Sequence, residues 1–267
     1  MSSYRYVRLD PTGNLTCLVL DPVPPEEEAA VTARLMEKCE QVAYLEAPSK
    51  EGARARIRLM GGEFCGNAAM AAACYLESLE KNAPEENELR SVPLQVSGTD
   101  GVIDAQVKRI GADWQGTVEM PPVTEIFSMT AEGRALTAVR MDGIVHLIME
   151  GKTGMTDAGA EALLKKTAGE LPDSAAGLLQ WNAEDGHMRP LVFVKNSQTL
   201  VWETGCGSGS CAIGILTGLK AGDGIHETAV HQPGGTILVR SEIRGGLPAR
   251  TTITGRVRLE KEAVLRL

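Results

Sequence analysis

The chain has 267 residues, which is enough for one large domain or two smaller ones with a real core. Its formal net charge of −8 argues against nucleic acid and anionic lipid as partners, and 43% apolar with 23% charged residues excludes disordered, collagen-like and coiled-coil classes. No apolar run approaches the ~20 residues that span a bilayer, and no apolar signal region opens the sequence, so we expect a cytoplasmic protein with no membrane partner.

The first half of the chain is predicted to be rich in strands. Alternating or β-branched residues favour strands over 4–10, 15–20, 41–46 and 53–60. A helix with acidic residues in its first turn begins after Pro25. A glycine-containing turn over 61–67 then leads into small apolar residues over 68–76, which predict a helix buried on all sides.

The second half repeats this order. We predict strands over 136–141 and 144–149, a helix over 157–170, strands over 190–195 and 199–203, a glycine-rich turn, and an apolar helix over 211–219. Strands over 228–242 and 249–258 close the chain. We therefore predict two homologous α/β halves, 1–123 and 124–267, with the last strand free to cross back to the first half. Two such halves would leave a cleft between them.

Six cysteines fit neither a disulfide scaffold nor paired zinc ligands. Cys65 and Cys206 stand out because each precedes a glycine and opens a predicted helix. The two are separated by about half the length of the sequence. A helix N-terminus lowers a thiol pKa from its ordinary value of about 8.5, so we expect both thiols to be reactive. The other four are interpreted as packing residues: Cys17, Cys39, Cys74 and Cys211.

A reactive thiol at each of two helix starts suits one class of reaction. Unpaired N–H groups there bind carboxylates, so two termini facing one cleft would hold an α-carboxylate with one sulfur on each face of the substrate's Cα. One thiolate would remove the Cα proton and the opposing thiol would return one, which inverts the carbon. The helix termini stabilise the charge that develops. We therefore expect an amino-acid substrate and no organic cofactor.

Several alternatives stay open at this point. A Cys-Gly pair at a helix start is often only a small buried residue, and His146 on an apolar strand is read as a core residue more readily than as a catalyst. A non-catalytic amino-acid-binding protein and an isomerase or lyase acting on a non-amino acid also remain. A disulfide between Cys65 and Cys206 would be an inactive oxidised form. A homodimer is one of the oligomeric states that stay open. No metal site is expected, because the four histidines are dispersed: His146, His187, His226 and His231.

Several motifs resemble the diaminopimelate epimerase-like family of two-cysteine, cofactor-independent racemases. Cys65-Gly66-Asn67 matches its Cys-Gly-Asn motif, and Cys206-Gly207-Ser208-Gly209 matches its Cys-Gly-x-Gly motif. Gly13-Asn14 and Glu40-Gln41 match an early turn and an acidic-Gln pair. The resemblance implies an α+β fold in which each half wraps a mixed or antiparallel sheet or barrel on a central helix.

Six sequence blocks are similar to one branch of this family, the histidine racemases of opine-type metallophore biosynthesis. They include the segments around Gly13-Asn14, Glu40-Gln41 and both cysteines, together with 202–203 and 230–235. The resemblance implies that Cys65 and Cys206 are the acid/base pair. It further implies substrate-binding roles for the α-carboxylate partners Gly66, Asn67, Gly207 and Ser208, for the ammonium partners Asn14 and Gln41, and for Glu40 and Glu203 at the substrate's far end.

The sequence departs from diaminopimelate epimerases just before the second cysteine. Those enzymes carry a Glu-Arg pair whose arginine meets the distal carboxylate of the substrate, whereas 201–206 here is shorter and has no arginine. A distal carboxylate would then be desolvated and poorly paired. An imidazole sits more easily beside Glu40 or Glu203, so histidine is the expected substrate, with diaminopimelate or another amino acid as the alternative.

Overall fold

The computed structural model describes residues 2–82, 84–151 and 154–267. These form two compact units: unit 1 comprises the described residues up to Glu119 together with Thr254–Leu267, and unit 2 comprises Met120–Ile253. One long strand, Leu247–Leu259, passes from unit 2 into unit 1. Among the described residues the helices are α1 Pro25–Leu35, α2 Gly66–Ser78, α3 Asp157–Glu170 and α4 Gly207–Ala221.

Unit 1 is a closed eight-stranded barrel. Its strands are β1 Ser3–Pro11, β2 Thr16–Val19, β3 Gln41–Glu46, β4 Ala55–Leu59, β5 Arg90–Val96, β6 Val102–Ile110, β7 Asp113–Glu119 and the end of β16 Leu247–Leu259. Each pairs with the next, and β16 returns to β1. A short β17, Ala263–Arg266, also pairs with β1. The pairs β2–β3 and β4–β5 are parallel, and α1 and α2 are the crossovers that parallel pairs need.

Helix α2 is the centre of unit 1. Its residues from Gly66 to Glu77 are all buried, as the small apolar sequence predicts, and it packs on β1, β2 and β4–β7. Two strand glycines admit its Met70. A Cβ at Gly116 would lie 2.6 Å from the Met70 Cβ, and one at Gly255 would lie 3.2 Å from its sulfur. Because these two glycines have no side chain, the helix can approach the barrel wall closely.

Unit 2 has a sheet of similar connectivity. Its strands are β8 Glu125–Ala131, β9 Arg134–Met141, β10 Ile144–Glu150, β11 Ala175–Asn182, β12 His187–Val194, β13 Thr199–Trp202, β14 Gly224–Gln232, β15 Gly235–Arg244 and the start of β16. The pairs β10–β11 and β12–β14 are parallel, with α3 and α4 as crossovers, and the neighbouring pairs are antiparallel. Helix α4 packs on β10, β11, β14 and β15.

The predicted repeat is confirmed by this connectivity. The order β1-β2-α1-β3-β4-α2-β5-β6 in unit 1 corresponds to β9-β10-α3-β11-β12-α4-β14-β15 in unit 2, with β13 inserted. The helix over 157–170 is confirmed at both ends. The apolar helix expected over 211–219 begins earlier, at Gly207. Its first turn contains two glycines, Gly207 and Gly209, and is nevertheless helical, with the Cys206 sulfur accepting the Gly209 N–H.

Candidate active site

In unit 1, Cys65 is the N-cap of α2. Its backbone is extended, with φ −135° and ψ 111°, and its sulfur accepts a hydrogen bond from the Ala68 N–H at 3.5 Å. The side chain is half-buried. Serine, threonine, asparagine and aspartate are the usual caps because their oxygens accept this bond well. A thiol here is a weaker cap, and the position leaves its sulfur beside the positive end of the helix dipole.

A polar network surrounds this cap. The Asn14 amide donates to the Glu40 carboxylate at 3.0 Å, and the Gln41 amide donates to the Asn14 Oδ1 at 2.7 Å and to the Thr16 hydroxyl at 2.8 Å. The Asn67 amide lies 3.3 Å from the same Asn14 oxygen, and the Cys65 sulfur lies 4.0 Å from it. Unit 1 therefore brings together five sequence-predicted site residues, with Gly66 between Cys65 and Asn67.

Local geometry explains why residues distant in sequence meet here. The turn before β2 is closed by Asp10, whose carboxylate accepts the Gly13 N–H at 2.7 Å, and Gly13 has a φ of 94° that favours glycine. Asn14 follows directly. The parallel register then sets Thr16 opposite Gln41, which delivers the start of β3 to the same end of the barrel. A carboxylate and amide oxygens at one place suit a cationic or hydrogen-bond-donating ligand group.

In unit 2, Cys206 is the N-cap of α4 in the same way. Its φ of −111° and ψ of 107° are close to those of Cys65, and its sulfur accepts the Gly209 N–H at 3.4 Å. A Cβ at Gly209 would lie 3.1 Å from this sulfur, so the glycine keeps the cap open. The Ser208 hydroxyl lies 3.7 Å from the sulfur. Both predicted cysteines are therefore thiol caps at the start of a buried helix.

The Cys206 backbone is held by two residues that sequence reasoning missed. Gln232 accepts the Cys206 N–H at 2.7 Å and donates to the Ser210 hydroxyl at 2.8 Å. That hydroxyl in turn donates to the Cys206 carbonyl at 2.7 Å. Gln232 lies within the 230–235 block that resembles the histidine racemases, and that resemblance is the signal that could have found it. The pair fixes the backbone of Cys206 from both sides.

The expectation of a lowered thiol pKa is wrong for Cys206. Burial, followed by the nearby Glu203 carboxylate, raises the pKa of the Cys206 thiol well above its usual value. The hydrogen bonds from Gly209 and Ser208 act in the opposite direction and are outweighed. Desolvation disfavours the charged thiolate more than one capping bond and a helix dipole favour it. In the free protein Cys206 is therefore a protonated thiol, with Glu203 facing it.

The other cysteines differ from these two. Cys17, Cys74 and Cys211 are buried and Cys39 is half-buried. Burial raises the pKa of Cys74, and it raises the pKa of Cys211 to about 12, which keeps both as neutral thiols. In the parts of the chain that the structure covers, no group of three or more His, Cys, Asp or Glu side chains is arranged to hold a metal. None of the described helices is long and apolar enough to cross a membrane.

Comparison with known proteins bears on what these two cysteine-containing clusters do. Over 266 residues the chain is 27% identical to a histidine racemase of Staphylococcus aureus (strain Mu50 / ATCC 700699), covering 95% of this chain and 94% of that protein. Over 263 residues it is 27% identical to a diaminopimelate epimerase of Xanthomonas euvesicatoria pv. vesicatoria (strain 85-10), with 88% of each covered.

Structural comparison supports the fold. A crystal structure of a probable proline racemase from Agrobacterium radiobacter K84 superposes with a TM-score of 0.73 at 15% identity, covering 99% of this chain and 93% of that one. The model of the family described as "Histidine racemase CntK N-terminal domain" matches residues 3–263. The chain, an isomerase of the amino-acid racemase and epimerase class, therefore belongs to this histidine racemase family.

Proposed function

We propose that the chain interconverts L- and D-histidine without an organic cofactor, with Cys65 and Cys206 as its two acid/base groups. The observation that carries the proposal is the matched pair of thiol caps. In each unit a cysteine with the same extended backbone opens a buried helix, and its sulfur accepts a first-turn N–H. A two-base inversion needs two proton-transferring groups, one for each face of the substrate's Cα, and each unit contributes one capping thiol to that role in this proposal.

The raised pKa of Cys206 supports one choice of starting roles. Because the pKa of the Cys206 thiol is raised by burial and by Glu203, it enters the reaction protonated and returns a proton to the carbanion. Cys65 is then proposed as the group that removes the Cα proton, and the roles exchange for the other enantiomer. Gly66, Asn67, Gly207 and Ser208, in the first turns of the two helices, are proposed to bind the α-carboxylate.

Glu40 is proposed to read the substrate's far end. Its carboxylate accepts from Asn14, which also contacts Gln41 and lies near Cys65, so the carboxylate is held beside Cys65 in unit 1. A neutral or cationic imidazole is compatible with that charge, and Asn14 and Gln41 supply amide oxygen and nitrogen for the α-ammonium and nearby polar atoms. The relatives named as histidine racemases support this substrate. We further propose that the reaction serves opine-type metallophore biosynthesis, which the resemblance to that branch supports, and that the protein acts in the cytoplasm, where free thiols persist.

The test is racemisation of L-histidine in D₂O, followed by proton NMR at Cα and by chiral chromatography. A two-base mechanism predicts deuterium in newly formed D-histidine while the remaining L-histidine still carries protium. Cys65→Ser and Cys206→Ser should each lose roughly 10²–10⁴-fold, the usual contribution of a general acid or base. Cys211→Ala is the matched control, because this buried cysteine lies one turn into the same helix and should leave exchange unchanged.

Three outcomes would overturn the proposal. If the double Cys→Ser variant still exchanges the Cα proton, the thiols are not the acid/base pair. If diaminopimelate exchanges and histidine does not, the substrate assignment is wrong, which matters because a diaminopimelate epimerase shows the same 27% identity. Binding of histidine without any deuterium uptake would instead indicate the non-catalytic binding protein.

A further inference from the structure

His146 is a polar side chain that the proposed mechanism leaves unused. It lies on β10 at 0% exposure, and its Nε2 is 2.9 Å from the Ser208 hydroxyl. Its Nδ1 is buried and has no hydrogen-bond partner among the described residues. The Ser208 hydroxyl is at the same time 3.7 Å from the Cys206 sulfur. One hydroxyl therefore links a buried imidazole to a thiol of the proposed acid/base pair.

The backbone is adapted to this imidazole. Gly177 is the register partner of His146 on the neighbouring parallel strand. A Cβ at that position would lie 2.4 Å from the His146 Nδ1 and 2.9 Å from Cε1. The strand interior thus holds a glycine, at a cost in backbone entropy, where the ring needs room. An apolar residue could fill the same space without burying an unpaired ring nitrogen.

The partners of the ring decide where its proton lies. Burial lowers the pKa of His146 to about 4, so the ring is neutral near pH 7. Buried N–H groups without an acceptor are rarer than buried acceptors without a donor, so the proton belongs on Nε2, which has a partner. The Nε2–H then donates to the Ser208 oxygen. The Ser208 O–H is left to donate towards the Cys206 sulfur.

We propose that His146 is a positioning residue that orients the Ser208 hydroxyl as a hydrogen-bond donor to the Cys206 thiolate. The proposal rests on the proposed function in giving Cys206 an acid/base role. When Cys206 acts as the base its sulfur must carry a negative charge in a buried place beside Glu203. A donor held on that sulfur stabilises the charged form. The titratable groups that face the thiol within unit 2 are Glu203 directly and His146 through Ser208.

The test measures the reactivity of Cys206 without any substrate. A small thiolate-selective reagent, methyl methanethiosulfonate, is added between pH 6 and pH 10, and labelling of the Cys206 peptide is followed by mass spectrometry. Ser208→Ala and His146→Met should each slow labelling roughly three- to tenfold at a fixed pH, because the thiolate fraction falls tenfold per unit of raised pKa. His146→Gln, which keeps a donor near the Nε2 position, should remain within about twofold of the parent.

The double variant separates positioning from packing. If His146 acts through Ser208, the His146→Met/Ser208→Ala chain labels no more slowly than the slower single variant, since the two changes remove one interaction. Independent, multiplicative effects would overturn the proposal, as would parent-like labelling in a folded His146→Met chain. Should His146→Met fail to fold, Gly177→Ala, which presses on Nδ1, replaces it. Because no turnover is measured, failure of the racemase assay leaves this readout unaffected.

Discussion

Gln232→Met tests whether the hydrogen bonds that Gln232 makes with the Cys206 N–H and the Ser210 hydroxyl stabilise unit 2. The substitution keeps the length of the side chain and removes its polar atoms. It deprives the buried Cys206 N–H of its 2.7 Å acceptor and removes the 2.8 Å donor to Ser210. An orphaned buried donor costs about 1–3 kcal/mol, and a lost neutral hydrogen bond costs about 0.5–1.5 kcal/mol. Ser210 keeps its bond to the Cys206 carbonyl, so the expected loss is roughly 2–4 kcal/mol.

Gln180→Met is the matched control for this prediction. Gln180 lies on β11 in the same unit, and its Nε2 is buried without a hydrogen-bond partner among the described residues. The same chemical change there removes an unsatisfied polar group, so we expect a loss below about 0.5 kcal/mol or a gain in stability. The two variants therefore differ in what the side chain contacts and not in the substitution made.

Urea unfolding followed by tryptophan fluorescence measures both effects. Trp181 and Trp202 lie in unit 2 and Trp114 lies in unit 1, so a Trp114→Phe background reports on unit 2 alone. We expect a lower midpoint for Gln232→Met with an unchanged slope. Equal midpoints for the Gln232 and Gln180 variants would refute this expectation, because the two hydrogen bonds of Gln232 would then contribute nothing beyond ordinary burial of a glutamine.

Three further outcomes follow from the geometry of unit 2. Gly177→Ala should destabilise the protein by about 1–3 kcal/mol, because the added Cβ overlaps with His146. Gly169→Ala on α3 should stabilise it by about 0.5–1 kcal/mol, because the added Cβ has no atom within 4 Å. Thermal unfolding compares the two variants. Burial lowers the pKa of His146 in the folded protein to about 4, below its unfolded value of about 6.5. The free energy of unfolding should therefore fall by up to about 1.4 kcal/mol per pH unit as the pH drops from about 6.5 to about 4. His146→Met should flatten this dependence, which urea titrations at each pH measure. Glu203→Gln should speed labelling of Cys206, since the carboxylate raises the pKa of that thiol; a slower rate would contradict this cause.

Much of the candidate site follows from local sequence rules. Cys65 and Cys206 can be recognised from sequence because each precedes glycine and a run of small apolar residues, and a helix cap is a property of about four consecutive residues. The helix over 157–170 follows in the same way from its own residues. Asn14, Glu40 and Gln41 came instead from the resemblance, and the parallel register of β2 and β3 then accounts for their contact.

Other features depend on groups far apart in the chain. The sequence near Cys206 predicts a lowered thiol pKa, because the helix terminus and the glycines are local, but burial is a sum over everything that packs around the sulfur. Gln232 reaches the Cys206 amide across 26 positions of chain, and His146 reaches Ser208 across 62. Hydrogen-bond partners at such separations are chosen by strand register and helix packing, which composition and periodicity do not encode.

The amino-acid sequence by itself determined where the two thiols stand, that each opens a buried helix, and that the chain is built twice on one plan. Tertiary structure alone decided which thiol is desolvated, which buried amide and imidazole support it, and which glycines admit them. The reason is physical: capping and periodicity act over single turns of backbone, whereas the free energy of a charge depends on the whole volume around it.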